Sequence, residues 1–275
     1  KFIEKKISNC STKRIINNTP RKKLAKNNIT QYLLHKYMQV KPYNTDQSKK
    51  TEVEDMFDNI APKYDLLNHV LSMKIDVLWR NTLVKWMNKD APKLVLDVAT
   101  GTGDLAIAVQ KGTGAEVVGL DLSQQMLNVG IDKIKKLNLD QKISMQKGDA
   151  ENLPFEDNKF DAVSVAFGVR NFENLEKGLA ELRRVVKDNS SVYILEFSKV
   201  EGFLAPFYMF YFKNILPQIG KLVSKDNRAY TYLPDSVNAF PFGEKMKQIL
   251  LDTGYSKVEY KKLSLGIATI YKATK

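Results

Sequence analysis

Cysteine occurs once in the 275 residues, at Cys10, and histidine only twice, at His35 and His69. A lone thiol forms no intramolecular disulfide, and so few soft ligands offer no zinc-type spacing, so neither a disulfide scaffold nor a metal centre is indicated. No apolar run approaches the roughly 20 residues that cross a bilayer. Acids are nearly missing from residues 1–37, where ten Lys/Arg face only Glu4 and account for nine of the net twelve positive charges. Residues 38–275 therefore carry only +3, and the charge of the body gives no reason to invoke a nucleic acid. With 43% hydrophobic residues the chain can bury one sizeable core.

Residues 1–37 read as a basic extension outside the fold, either disordered or not native. Three readings stand for it: a basic arm for nucleic acid or anionic lipid, an organellar transit segment, or residues upstream of a start at Met38. Residues 38–275 are expected to form a single domain.

The densest signal is Leu94-Val-Leu-Asp97-Val-Ala-Thr-Gly101-Thr102-Gly103-Asp104, followed by Val117-Val-Gly-Leu-Asp121-Leu122. It reads as strand, glycine turn, helix, second strand and acid, the order of a nucleotide-type cofactor site. Glycines let backbone approach a ligand, and the next helix turns its first N–H groups toward it. Asp121 ends the second strand, where an acid accepts from ribose hydroxyls. Asp97 and Asp104 flank the turn and would repel a pyrophosphate, whereas S-adenosylmethionine brings a sulfonium and an ammonium; the acids favour it over NAD. Asp149 and Ala150 close a third strand, with Asp149 expected beside the adenine to accept from its exocyclic amine. The run Ala162–Phe167 has buried-strand character, and its carboxyl end, Phe167-Gly-Val-Arg170-Asn171, lies where ligands bind in open parallel sheets.

Seven strands are expected, at Leu94–Val98, Glu116–Asp121, Ile143–Gln146, Ala162–Phe167, Val192–Phe197, Lys257–Leu263 and Ile267–Lys272. Helices are expected from Thr51, leading to Tyr64-Asp65 at its end, and near Asp76–Met87, Asp104–Gln110, Ser123–Leu137, Leu175–Val186 and Glu244–Leu251. This alternation gives an α/β fold: a doubly wound, seven-stranded, Rossmann-like sheet, parallel except for its last strand, with N-terminal helices in front. Val186–Ser190 lacks a glycine turn before the fifth strand, and Asn189 is expected to take the left-handed conformation there.

These segments together resemble a class I S-adenosylmethionine-dependent methyltransferase. The further set Met56–Asn68 with Tyr64-Asp65, Trp79-Arg80, Phe167-Gly-Val-Arg170-Asn171 and Leu195-Glu-Phe-Ser198 is similar to the ubiquinone/menaquinone biosynthesis C-methyltransferase family, from about Val40 to the C-terminus. The resemblance implies C-methylation of a prenylated quinol, demethylmenaquinol first and a benzoquinol precursor of ubiquinone next. A different small phenol or lipid acceptor, or a non-catalytic cofactor-binding subunit of a quinone-synthesis complex, stands as the alternative. It further implies a cytoplasmic protein with peripheral contact at the inner face of a membrane; a homo-oligomer is compatible, and no nucleic acid is expected as a partner.

The catalytic candidates are Arg170, Tyr64, Asp65 and Asn171. Arg170 is placed to stabilise oxyanion charge or hold a water, and is a poor base itself. Asn171 either orients the acceptor or caps the helix from Leu175. The cofactor candidates are Asp97, Gly101, Thr102, Gly103, Asp121, Leu122, Asp149, Ala150 and Ala166, the last standing where some relatives carry a serine. His69 is expected at the surface. Residues 199–241, with the aromatic run Phe203–Phe212, form an insert that lines an acceptor pocket, lies on a membrane, or caps the sheet.

Overall fold

A computed structural model describes residues 40–72, 74–202, 206, 210 and 228–275. The basic extension and most of the aromatic run lie outside the described residues, as does the side chain of His69.

Seven strands form one sheet in the order β3-β2-β1-β4-β5-β7-β6. They are β1 (Leu94–Val98), β2 (Glu116–Asp121), β3 (Ile143–Lys147), β4 (Phe160–Ala166), β5 (Val186–Phe197), β6 (Lys257–Leu263) and β7 (Ala268–Thr274). All neighbouring pairs from β3 to β5 are parallel, and only β7 runs antiparallel to both its neighbours. The described helices are α1 (Lys49–Ile60), α2 (Tyr64–Leu71), α3 (Ile75–Met87), α4 (Asp104–Thr113), α5 (Gln124–Lys136), α6 (Leu175–Val185), α7 (Arg228–Ala239) and α8 (Glu244–Asp252).

The strand pattern of period two builds a core on each face. Leu96, Val98, Val163 and Val165 pack with Leu179 and Leu182 of α6 and with Ile249 of α8. Their alternates Val95, Val117 and Ala162 pack with Leu83 and Met87 of α3 and with Ala106 and Val109 of α4. Burial on both faces accounts for the near-continuous apolar reading of β1 and β4.

Three expectations are corrected. Tyr64 and Asp65 do not end the first helix: a 3-10 turn at Ala61–Lys63, with Pro62 inside it, separates α1 from α2, and Tyr64 opens α2. Proline lacks the N–H that would continue α1. β4 begins at Phe160 and stops at Ala166, because Phe167 takes φ +58 and turns out of the sheet. β5 begins at Val186, where it pairs with Phe160, and a register shift carries it past the left-handed Asn189 (φ +61) to resume at Ser191. The left-handed Asn189 was expected; the strand around it was not.

The N-terminal arm is tied to α1 by one carboxylate. Glu52, buried on α1, accepts from the N–H groups of Tyr43 (2.6 Å), Asn44 (3.0 Å) and Thr45 (2.7 Å) and from Thr45 Oγ1 (2.7 Å). Burial opposes its charge, but the four donors win and hold its pKa below the usual carboxylate value. This contribution is present at neutral pH and is lost as pH falls through that lowered value. Glu52→Gln is expected to destabilise the protein by about 1–3 kcal/mol, measured by urea unfolding at pH 7, and to open residues 40–48 to limited proteolysis.

Candidate active site

The carboxyl ends of β1, β2 and β4 meet at the middle of the sheet, where β1 pairs with β2 on one side and with β4 on the other. Crossovers leave this reversal point to opposite faces, and a crevice opens there. Its floor is built from backbone that leaves the ordinary regions: Ala99 (φ +51), Gly101 (φ +56) and Phe167 (φ +58) all take the left-handed conformation, as does Gly103 (φ +80) in the same turn as Gly101. The turns after β1 and β4 touch, since a Cβ on Gly168 would lie 2.5 Å from that of Ala99. This close approach is a physical reason for glycine after Phe167.

A cleft of about 700 Å³, counted out to its open mouth, lies over this floor. Gly101, Asp121, Leu122, Ala166 and Phe167 line it below, Asp149 and Ala150 at one side, and Asn171 and Phe172 at the other; Val53 and Phe57 of α1 cover it with Tyr64. A second, polar cavity of about 400 Å³ adjoins it, lined by Asn68, Arg80, Asp97, Thr102 and Asp104. Tyr64, Ala99, Gly101, Ala166 and Phe167 border both.

Asp121 is buried and accepts from Gly101 N–H at 2.8 Å and Ser123 N–H at 2.9 Å. Burial nevertheless pushes its pKa up to about 6, with Asp58 adding a smaller push in the same direction. Asp97, beneath the turn, accepts from Thr100 Oγ1 (2.6 Å) and Ser164 Oγ (2.7 Å), and burial raises its pKa to about 6 as well.

Asp104 does not face the cavity as an isolated anion. It pairs with Arg80 (3.1 Å) and Lys133 (2.8 Å), in a chain that runs on from Arg80 to Asp76 (2.5 Å) and from Lys133 to Asp65 (2.5 Å). Of the two acids expected to favour a cation, Asp104 is thus matched by two cations while Asp97 is held by hydroxyls, and the small cavity presents both signs. Asp65 also accepts from Thr102 Oγ1 at 2.5 Å; neither cavity includes it in its lining, and it holds the glycine turn from α2. Gly103 likewise lies outside both linings; its φ of +80 favours glycine there, while the tip of Met145, 2.4 Å from a Cβ, could move aside.

Arg170 is buried, with Nη1 donating to Glu196 Oε1 at 2.9 Å and also to the carbonyl oxygen of Phe167. Its guanidinium stacks 5.5 Å from the Phe197 ring centre, and its buried Nε has no hydrogen-bond partner among the described residues. Asn171 is not the helix cap, a role taken by Asn174, whose side chain accepts from Lys177 N–H. Asn171 instead accepts from the Tyr232 hydroxyl at 3.1 Å, linking α7 to the loop. Burial raises the pKa of Tyr64, opposed by Asn68 and by the charges of Arg170 and Arg80.

Sequence reasoning missed the second cavity, because Arg80 and Asn68 come from helices distant in the chain from the glycine turn. The Trp79-Arg80 pair was its one visible sign. The lysines of α1 that reach the cleft walls were also missed, having no pattern apart from ordinary surface lysines.

The residues fit S-adenosylmethionine. Gly101 lines the floor with φ +56, a conformation that side chains rarely adopt; a buried acid faces the cleft, and the adjoining cavity matches a zwitterion. A model of the ubiE/COQ5 methyltransferase family matches residues 45–275. The chain belongs to that family. It is 48% identical over 238 residues to the demethylmenaquinone methyltransferase of Bacteroides fragilis, covering 86% of this chain and 97% of that one. It is 42% identical over 230 residues to the ubiquinone/menaquinone biosynthesis C-methyltransferase UbiE of Geotalea daltonii, covering 82% and 97%. In fold it is similar to a SAM-dependent methyltransferase of Thermotoga maritima, with a TM-score of 0.55 at 18% identity, over 80% of this chain and 99% of that one. The family member described here is an S-adenosylmethionine-dependent methyltransferase, as its motifs implied.

Asp97 and Asp121 bind protons more tightly folded, near pH 6, than unfolded, near 3.8. Their contribution to stability is full below 3.8 and is lost as pH rises through about 6. A cofactor whose hydroxyls donate to Asp121 favours the ionised form and lowers its pKa. Binding is therefore expected to release protons at pH 6 and few at pH 8, measured by calorimetry in buffers of different ionisation enthalpy; uptake at pH 6 would exclude Asp121 as an acceptor.

Proposed function

We propose that this chain methylates a ring carbon of a prenylated quinol, demethylmenaquinol before a benzoquinol. The observation that carries this reading is the junction of the two cavities at Tyr64, Ala99, Gly101, Ala166 and Phe167: one cavity suits a charged amino-acid end, the other a nucleoside and a flat apolar ring. Relatives named demethylmenaquinone methyltransferase support the naphthoquinol as acceptor.

S-adenosylmethionine supplies an electrophilic methyl group on a sulfonium when bound. The chain's part is to orient, since well-aligned reactants gain up to roughly 7–11 kcal/mol. In this reading Asp121 accepts from the ribose hydroxyls, Asp149 and Ala150 take the adenine, and Arg80 with Asp104 holds the amino-acid end. Tyr64 reaches the acceptor hydroxyl from above. The acceptor must be reduced, because a quinol ring is electron-rich at carbon and a quinone is electrophilic. Arg170, balanced by Glu196, shapes the acceptor loop and sets a positive field at Tyr64. Arg170 lines neither cavity, so its part is indirect: it holds Glu196 and the Phe167 carbonyl in place and is not a base.

The test is release of S-adenosylhomocysteine by the full chain with a short-chain demethylmenaquinone or a demethylated benzoquinone, each with and without dithionite. Release only with dithionite and the naphthoquinone is expected; release from neither ring, with cofactor bound, would shift the reading to another acceptor or to a non-catalytic subunit. In the same assay Asp121→Ala is expected to weaken cofactor binding about 10- to 100-fold, and Arg170→Ala to cut turnover with the cofactor still bound.

A prenylated acceptor resides in lipid, and the chain has no described helix long and apolar enough to cross a membrane. We read its contact as peripheral, through the edge that carries the cleft. There Leu78 (64% exposed) and Leu265 (79% exposed) flank a bond from Trp79 Nε1 to Ser264 Oγ of 2.8 Å, and Leu265 is held out by a turn with φ +58. Exposed Lys74 and Lys262 lie beside them. Leucines among lysines suit an anionic interface. Sedimentation with vesicles containing anionic lipid is expected, weakened in Leu78→Ser/Leu265→Ser; equal binding by that variant would move the contact elsewhere.

A further inference from the structure

The first turn of α1 begins over the cleft with two consecutive lysines that point to different walls. Ser48 caps the helix, its side chain accepting from Thr51 N–H. Lys49, only 1% exposed, sends Nζ to the carbonyl oxygens of Arg170 at 3.1 Å and Phe172 at 3.0 Å, and its backbone N–H donates to Glu173 Oε1 at 2.9 Å. Lys50 instead pairs with Asp149 Oδ2 at 2.6 Å. One helix turn thus grips the loop after β4 with one residue and the loop after β3 with the next. The two loops are joined behind it by buried Glu151, which accepts from Glu173 N–H (2.7 Å) and Asn174 N–H (3.0 Å).

Stability alone does not call for these lysines. Burying an ammonium is costly, and Lys49 lies beside the like charge of Arg170, offset by Glu151 and Glu173; burial first, then Arg170, pull its pKa down to about 7. An apolar side chain of similar length would fill the volume without that cost. What only a multi-donor side chain does here is hold two carbonyls of one loop at a fixed spacing. The Lys50–Asp149 pair is about one-third exposed on each side, and such solvent-screened pairs add little to stability. Its effect lies in where it holds Asp149, whose other oxygen accepts from Glu151 N–H at 2.9 Å.

We propose that Lys49 and Lys50 are positioning residues with separate duties, Lys49 setting the wall that meets the methyl acceptor and Lys50 the wall that meets the adenine. The assignment rests on the methyl-transfer reading above. Lys49 lines neither cavity and acts through the loop it holds; Lys50 lines the cleft beside Asp149 and acts on the wall assigned to the adenine through that pair.

The two duties separate in a kinetic experiment on the full chain. Lys50→Gln is expected to raise the S-adenosylmethionine Kd about tenfold by calorimetry, with kcat at saturating cofactor within about twofold of the parent. Lys49→Met is expected to do the reverse: cofactor Kd within about twofold, and kcat down about tenfold with the preferred quinol. Lys49→Gln, which retains N–H donors, is expected to recover part of that loss. Equal effects on both parameters in both variants, or no effect in either, would overturn the proposal. If Lys49→Met and Lys49→Gln both fail to fold, Lys49 is a structural residue and the proposal fails for it. The calorimetric arm needs no turnover, so a parent protein that binds cofactor but methylates no quinol would defeat the methyl-transfer reading while the Lys50 result still stands.

Discussion

The carboxylate of Asp121 is the tie on which the site depends. It stands at the end of β2 and reaches across to Gly101 N–H on the neighbouring turn and to Ser123 N–H at the start of α5. Two loops that must face one ligand are thereby fixed to one buried anion. Burial makes that anion costly, which is why its pKa rises despite its backbone donors. Ser123 continues the tie, accepting from Met126 N–H as the α5 cap and donating to Asp58 of α1 at 2.5 Å.

Around that tie the protein separates charge by depth. Asp97 lies under the glycine turn, satisfied by two hydroxyls, while Asp76, Arg80, Asp104, Lys133 and Asp65 alternate in sign across α3, α4, α5 and α2. Such a chain holds four helices at one end of the sheet and leaves a polar cavity beside an apolar cleft. The rigidity suits a transfer in which alignment supplies most of the rate. The loop after β4 is held from three sides, by Arg170 with Glu196, by Lys49 from α1 and by Tyr232 from α7 through Asn171.

Much of the fold was legible because burial imposes simple periods. β1, β2 and β4 follow apolar runs; β2 ends on Asp121 and β3 before Gly148, whereas β1 and β4 end where Ala99 and Phe167 turn left-handed, which no residue type there announces. Errors arose where local chemistry and tertiary pairing disagreed. Val186–Ser190 has no strand pattern, yet Val186 finds Phe160 across the sheet. Pro62 was visible, but that the chain would resume as a helix at Tyr64 depends on packing over the cleft. Asn174 directly precedes Leu175, where the helix was expected to begin, so the cap was legible in the sequence and the choice of Asn171 overlooked it.

The sequence by itself determined the class of fold, the family and the glycine-and-acid cofactor motif, because each rests on residues near one another in the chain whose backbone needs are local. Tertiary structure alone decided the partners of the charged groups. It turned Asp104 and Asp65 into members of an ion chain, Arg170 into a partner of Glu196, and Lys49 into a brace for a loop 121 residues away. A carboxylate or ammonium acts through what lies within a few ångströms of it in a low-dielectric interior, and that neighbourhood is assembled from helices and strands that the chain order keeps apart.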